Sequence, residues 1–113
     1  VPPDSPILDT GQLIAAFGEI DDEVREMMGM FVETSRPMLR DLEEAVAARR
    51  QPEAEDIAHS AKGAARSAGA MRLADLCDLV EQAAERGDWA EADRRLVTLG
   101  PELEAVAQAV AAL

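Results

Sequence analysis

One histidine and one lysine occur in the chain, and they lie three residues apart, as His59-Ser-Ala-Lys62 followed by Gly63. His59 is the one side chain whose ordinary pKa falls near neutrality. An imidazole is a nucleophile when neutral, and a fixed cation one helical turn away would stabilise an anionic group placed on it. That pairing suits the handling of a phosphoryl group. Arg66 follows one turn beyond Lys62 and adds a second cation. A positive spot of this kind favours the neutral, nucleophilic ring.

These residues must sit on a helix. The segment around them is rich in alanine, and the chain as a whole favours helix over strand. At about 100° per residue, Ala54, Ile57, Ala61, Ala64, Ala65 and Ala68 gather on one side, and His59 lies about 170° from their centre. Lys62, Gly63, Arg66 and Glu55 fall within about 60° of His59. His59 is therefore expected to face solvent inside a small cationic patch. Gly63 is expected to keep the approach to the ring open, because glycine in mid-helix costs about 1 kcal/mol relative to alanine. Met27, Met30 and Thr34 lie off the main apolar stripe of the second helix, and Ile14 or Phe17 can join them. Met27, Met30 and Thr34 are expected either to meet a partner or to pack on the short first helix.

The rest of the chain supplies the frame. At 113 residues it is one domain. It is 48% hydrophobic but only 3% aromatic, so the core is built from aliphatic residues and alanine. Residues 1–8 carry three prolines and read as a flexible lead-in, with the domain proper over residues 9–113. Helices are expected over about Thr10–Phe17, from Asp21 or Asp22 to about Arg50, from Pro52 to about Ala68, from Arg72 to Arg86, and from the cap Asp88 onward. Pro37 should kink or break the second helix, and Gly100-Pro101 should bend the last. Short connections favour an all-α, antiparallel up-down four-helix bundle with a short extra N-terminal helix.

Charge and composition exclude several functions. The net charge of −12 argues against nucleic acid and anionic membranes. No apolar run is long enough to span a bilayer. The start of the chain, Val1-Pro-Pro-Asp-Ser-Pro6, lacks the basic and apolar regions of a signal peptide. The lone cysteine, Cys77, fits a reducing compartment, so a cytoplasmic location is expected. Cys77 falls on the core side of its helix, where it acts as a small hydrophobe. A metal site at Asp56-x-x-His59 and Glu55-x-x-x-His59 has helical ligand spacing, but a single histidine beside Lys62 disfavours a cation. No metal or cofactor is expected on this chain. No Gly-rich phosphate loop or kinase motif is present.

The run Ala58-His59-Ser60-Ala61-Lys62-Gly63-Ala64-Ala65-Arg66-Ser67-Ala68-Gly69-Ala70 resembles the signature of histidine-containing phosphotransfer (HPt) domains of two-component phosphorelays. Leu73 to Glu81 is similar to the family's next helix, and Phe31 to Leu39 to the preceding one. The resemblance covers about residues 9–113. It departs at Ala61, where the family often has leucine, and at Arg66, where a small residue is common. It implies a carrier without its own ATP-dependent kinase activity. His59 would accept the phosphoryl group at Nε2, with Lys62 near its oxygens and Gly63 leaving access. Arg66, as a departure, is expected either to contact phosphate or partner or simply to be solvated. Glu81 would hold the ring through Nδ1. The implied partners are receiver domains of response regulators and hybrid kinases, which bring Mg²⁺ and dock around Glu55, Asp56, Met27, Met30 and Thr34. A monomer is expected. The alternative is a helical module that binds a receiver or kinase without carrying phosphate.

Overall fold

A computed structural model describes residues 5–113. Among them are five helices, α1 (Thr10–Phe17), α2 (Asp22–Ala47), α3 (Gln51–Ser67), α4 (Met71–Glu85) and α5 (Trp89–Ala111). No residue in this range is in a strand. Three of the helices start on an aspartate that takes an exposed backbone N–H. Asp9 accepts from Gln12, Asp21 from Val24 and Asp88 from Glu91.

The long helices form a ring in which α2 packs on α3, α3 on α4, α4 on α5 and α5 on α2. Cross-links fix their directions. Arg25 reaches Leu113, Arg36 reaches Glu104 and Arg49 reaches Asp93, so α2 and α5 run antiparallel. Lys62 meets Asp78 near the middle of α3, while Gln51 at its start meets the carbonyls of Ala84 and Glu85, so α3 and α4 are antiparallel too. This is the up-down bundle that three-residue connections impose. The main core joins Leu42, Val46, Leu73, Leu76, Val80, Leu99 and Val106 to a set of buried alanines. Helix α1 closes one end through Leu13, which packs with Val24, Met28 and Ala68.

Helix α2 ends at Ala47 rather than near Arg50, because Arg49 adopts the left-handed region at φ 56°. That conformation is unfavourable for a residue with a side chain. It is offset here: the Arg49 guanidinium donates to Asp93 at 3.2 Å and lies 5.6 Å from the centre of the Trp89 ring. The expected break at Pro37 does not occur, and α2 runs unbroken through it. Helix α5 likewise continues through Gly100-Pro101. Both prolines lie on exposed positions, where water can reach the carbonyl that each leaves unpaired.

Residues 1–4 of the expected lead-in lie outside the described residues. Residues 5–8 lie against the bundle. Ser5 donates to Asp75 at 2.6 Å, Arg72 N–H donates to the Pro6 carbonyl at 3.1 Å, and Ile7 packs on the main core. Asp9 N–H then donates to the Gly69 carbonyl at 2.7 Å. Gly69 has φ 80°, and a Cβ there would lie 3.0 Å from the Asp9 carbonyl oxygen. Only glycine meets both demands.

Candidate phosphotransfer site

Helix α3 buries one narrow stripe, Ala54, Ala58, Ala61 and Ala65. His59 is on the opposite side, with 69% of its side chain exposed. The ring is nevertheless held. Its Nδ1 lies 3.0 Å from Oε2 of Glu81, which α4 presents across the seam. An ionised carboxylate only accepts hydrogen bonds, so Nδ1 is the donor. In the neutral ring this places the proton on Nδ1 and leaves the lone pair on Nε2. The second ring nitrogen is then free to act as a nucleophile.

Glu81 is itself anchored. Its side chain is 17% exposed, and Oε1 accepts from the Lys62 ammonium at 2.6 Å. Lys62 also donates to Asp78 Oδ1 at 3.1 Å. Asp78 Oδ2 in turn accepts from Gln82 at 2.7 Å. A continuous chain of hydrogen bonds therefore runs from Gln82 through Asp78, Lys62 and Glu81 to His59. The hydrogen bond to Glu81, then that to Asp78, raises the Lys62 pKa, so the residue is firmly cationic.

This corrects one expectation. Lys62 does not stand open in a cationic patch: its side chain is only 14% exposed and lies between two carboxylates. Its alkyl stem covers the α3–α4 seam, and its charge is met from α4. Asp78 and Gln82 escaped the sequence reading, because their role depends on which α4 residues face Lys62. The signal available was the spacing of Asp78 and Glu81. Three residues apart, they share a face of one helix.

The other candidate residues spread around this centre. Gly63 is exposed, and a Cβ built on it would meet nothing within 4 Å. Arg66 is exposed, seven residues from His59 and so on the same face, while its carbonyl accepts from Gln12 of α1 at 2.8 Å. Glu55 is half-buried and Asp56 exposed. Asp56 lines a groove of about 430 Å³ between α2 and α3, with Thr34, Pro37, Met38, Asp41, Ile57 and Ser60. Met27 lines a smaller groove of about 170 Å³ with Met28, Phe31, Ala64, Ser67 and Ala68. Met27 also lies beside Phe17 of α1, and Met30 is more exposed than either. Two shallow apolar grooves therefore run along the α2–α3 seam.

Cys77 is buried in the core, and burial pushes its thiol up to about 12. It is a thiol at any ordinary pH, not a thiolate nucleophile. Among the described residues, no group of three His, Cys, Asp or Glu is placed to hold a metal ion. No helix among them is long and apolar enough to cross a membrane.

An all-α bundle with an exposed, carboxylate-held histidine on one face defines a class of phosphotransfer protein. The family model of the Hpt domain matches residues 26–113, and the chain belongs to that family, which carries out histidine phosphotransfer in two-component phosphorelays. Its structure is similar to the crystal structure of histidine-containing phosphotransfer protein B (HptB) from Pseudomonas aeruginosa PAO1. The TM-score is 0.85 at 29% sequence identity, covering 95% of this chain and 93% of that one. No curated protein matches the chain in sequence.

Proposed function

We propose that His59 is the phosphoryl acceptor and that the chain exchanges the group with aspartates of receiver domains in response regulators and hybrid kinases. The observation that carries this is the His59–Glu81 hydrogen bond, which supports a nucleophilic Nε2 on an exposed ring. The Nε2 lone pair attacks phosphorus in line with the bond to the receiver aspartate. The N–P bond forms as the P–O bond breaks, and the aspartate leaves as carboxylate. The ring, still protonated at Nδ1, gains positive charge as the N–P bond forms. Glu81 stabilises that charge, as a buried aspartate does for the histidine of a hydrolytic triad.

Lys62 keeps Glu81 in place and adds a positive charge one turn from the ring. Gly63 leaves room for the approaching receiver. Arg66 offers an exposed cation to phosphoryl oxygens or to the partner. The α2–α3 seam, with Met27, Met30, Thr34, Glu55 and Asp56, supplies the docking contacts. Mg²⁺ held by the receiver would offset most of the negative charge on the phosphoryl oxygens in the transition state. The chain acts as a monomeric carrier in the cytoplasm and does not phosphorylate itself from ATP.

The test is transfer from a phosphorylated receiver to the wild type and to His59→Gln. An acid-labile, alkali-stable label on the wild type only is the expected result. Label that persists in His59→Gln overturns the assignment. Receiver binding without transfer to the wild type would instead make the chain a pure interaction module.

A further inference from the structure

Asp78 makes no contact with His59 in the hydrogen-bond network, yet it takes one side of the ammonium that anchors Glu81. Lys62 has three N–H donors and lies between two carboxylates. Glu81 has two carboxylate oxygens and two customers, the ammonium and the imidazole. As built, each takes one oxygen: Oε1 goes to Lys62 and Oε2 to His59. An ammonium free of other partners would centre itself between both oxygens of a carboxylate and compete with the weaker imidazole donor. Asp78 draws Lys62 to the far side and prevents this. Gln82 fixes Asp78 through its other oxygen.

We propose that Asp78 is a positioning residue for phosphoryl transfer: by holding Lys62 on one oxygen of Glu81, it reserves the other for His59 Nδ1 and so keeps the ring's lone pair on Nε2. This rests on the reading of His59 as the acceptor. The proposal concerns geometry, so an uncharged acceptor at position 78 should serve nearly as well. It also acts only through Lys62, so it should vanish when the ammonium is removed.

The first measurement is the ring ¹⁵N spectrum of His59 at about pH 8.5, where a free imidazole is neutral. The shifts of the two nitrogens report which one carries the proton. Asp78→Ala is expected to move His59 away from the Nδ1–H form. It should also slow labelling by phosphoramidate about fivefold, the worth of one ordinary hydrogen bond. Asp78→Asn, which keeps an oxygen for Lys62, is expected to restore both. In a Lys62→Met background, Asp78→Ala should leave the ring spectrum unchanged.

The proposal is overturned if Asp78→Ala keeps the wild-type ring spectrum, whether or not the variant melts earlier. It is also overturned if the effect persists without the ammonium of Lys62. If the wild type takes no label, the acceptor reading fails, while the ring spectra still decide whether Asp78 sets the tautomer.

Discussion

Replacing Gly63 should make the protein more stable and a worse partner for its receiver. Glycine within a helix is less favourable than alanine by about 0.8–1.0 kcal/mol. Gly63 lies well inside α3, which spans Gln51–Ser67, and an added Cβ would meet nothing within 4 Å. No clash offsets the gain, so Gly63→Ala should recover nearly the full propensity difference. For a chain of this size that raises the melting temperature by about 4 °C. Gly63→Leu should gain nearly as much, since leucine ranks just behind alanine.

The same empty space lies one turn from His59, where, on the proposed reading, a receiver brings its phosphorus to about 3–3.5 Å from Nε2. A misplacement of about 1 Å costs on the order of a hundredfold in rate. Gly63→Leu should reach that loss, and Gly63→Ala about a tenth of it. Phosphoramidate is small enough to pass either side chain, so labelling by it should hold at the wild-type rate. The assays are thermal melts followed by ¹⁵N-resolved or radiolabelled transfer from the receiver and from phosphoramidate. A Gly63→Leu variant that melts higher yet takes phosphate from the receiver at the wild-type rate refutes the access role. A Gly63→Ala variant that melts lower refutes the open space. Equal slowing with both donors would place the effect on the ring itself rather than on docking.

Two further outcomes follow from the groups that burial and pairing perturb. The Cys77 thiol, pushed up to about 12, should resist iodoacetamide in the native protein and react only through unfolding, so its alkylation rate should track denaturant. Reaction at the rate of free cysteine without denaturant would show the thiol is not buried. Lys62, raised by Glu81 and Asp78, contributes stability that is full below the pKa of a free lysine, about 10.4, and is lost as pH rises through its higher folded value. In a Cys77→Ala background, which removes the other alkaline titration, the stability difference between Lys62 and Lys62→Met should shrink on that limb. A difference in urea stability that stays constant there would mean the ammonium is not paired.

Much of the frame was legible because it is local. The caps Asp21 and Asp88, the helix α1 limits and the outward direction of His59 depend on residues within a turn or two, where side-chain chemistry and a fixed 100° rotation decide the result. The end of α2 was less legible. Nothing in Arg49 itself favours a positive φ, and the compensation comes from Trp89 and Asp93, some forty residues away. The unbroken run of α2 through Pro37 was not legible either. A break is expected where the freed carbonyl is buried, whereas Pro37 and Pro101 both lie on exposed faces. The periodicity of α2 points to a stripe of Val24, Met28, Phe31, Met38 or Leu39, Leu42 and Val46, yet Val32 and Ser35 are buried too, and Ser35 is accommodated by donating to the Phe31 carbonyl at 2.7 Å. Lys62 was misplaced most consequentially. Its angle on α3 puts it near His59, but only the register of α4 shows that two carboxylates close over it.

That register links composition to chemistry. In the proposed mechanism a carboxylate on one helix holds a ring on another, so the separation of the two backbones bears on it. Helices pack 8–10 Å apart according to the side chains at the contact. The buried stripe of α3 is alanine throughout, while α4 buries Leu73, Leu76 and Val80 beside the smaller Ala74, Cys77, Ala83 and Ala84. These two helices also make the most extensive contact in the bundle. Small residues at a seam let backbones approach. They leave Glu81, Asp78 and Lys62 close enough to meet at 2.6–3.1 Å while His59 stays mostly outside. Alanine in this chain therefore does more than favour helix. On the α3 side it narrows the gap that the hydrogen-bond chain spans.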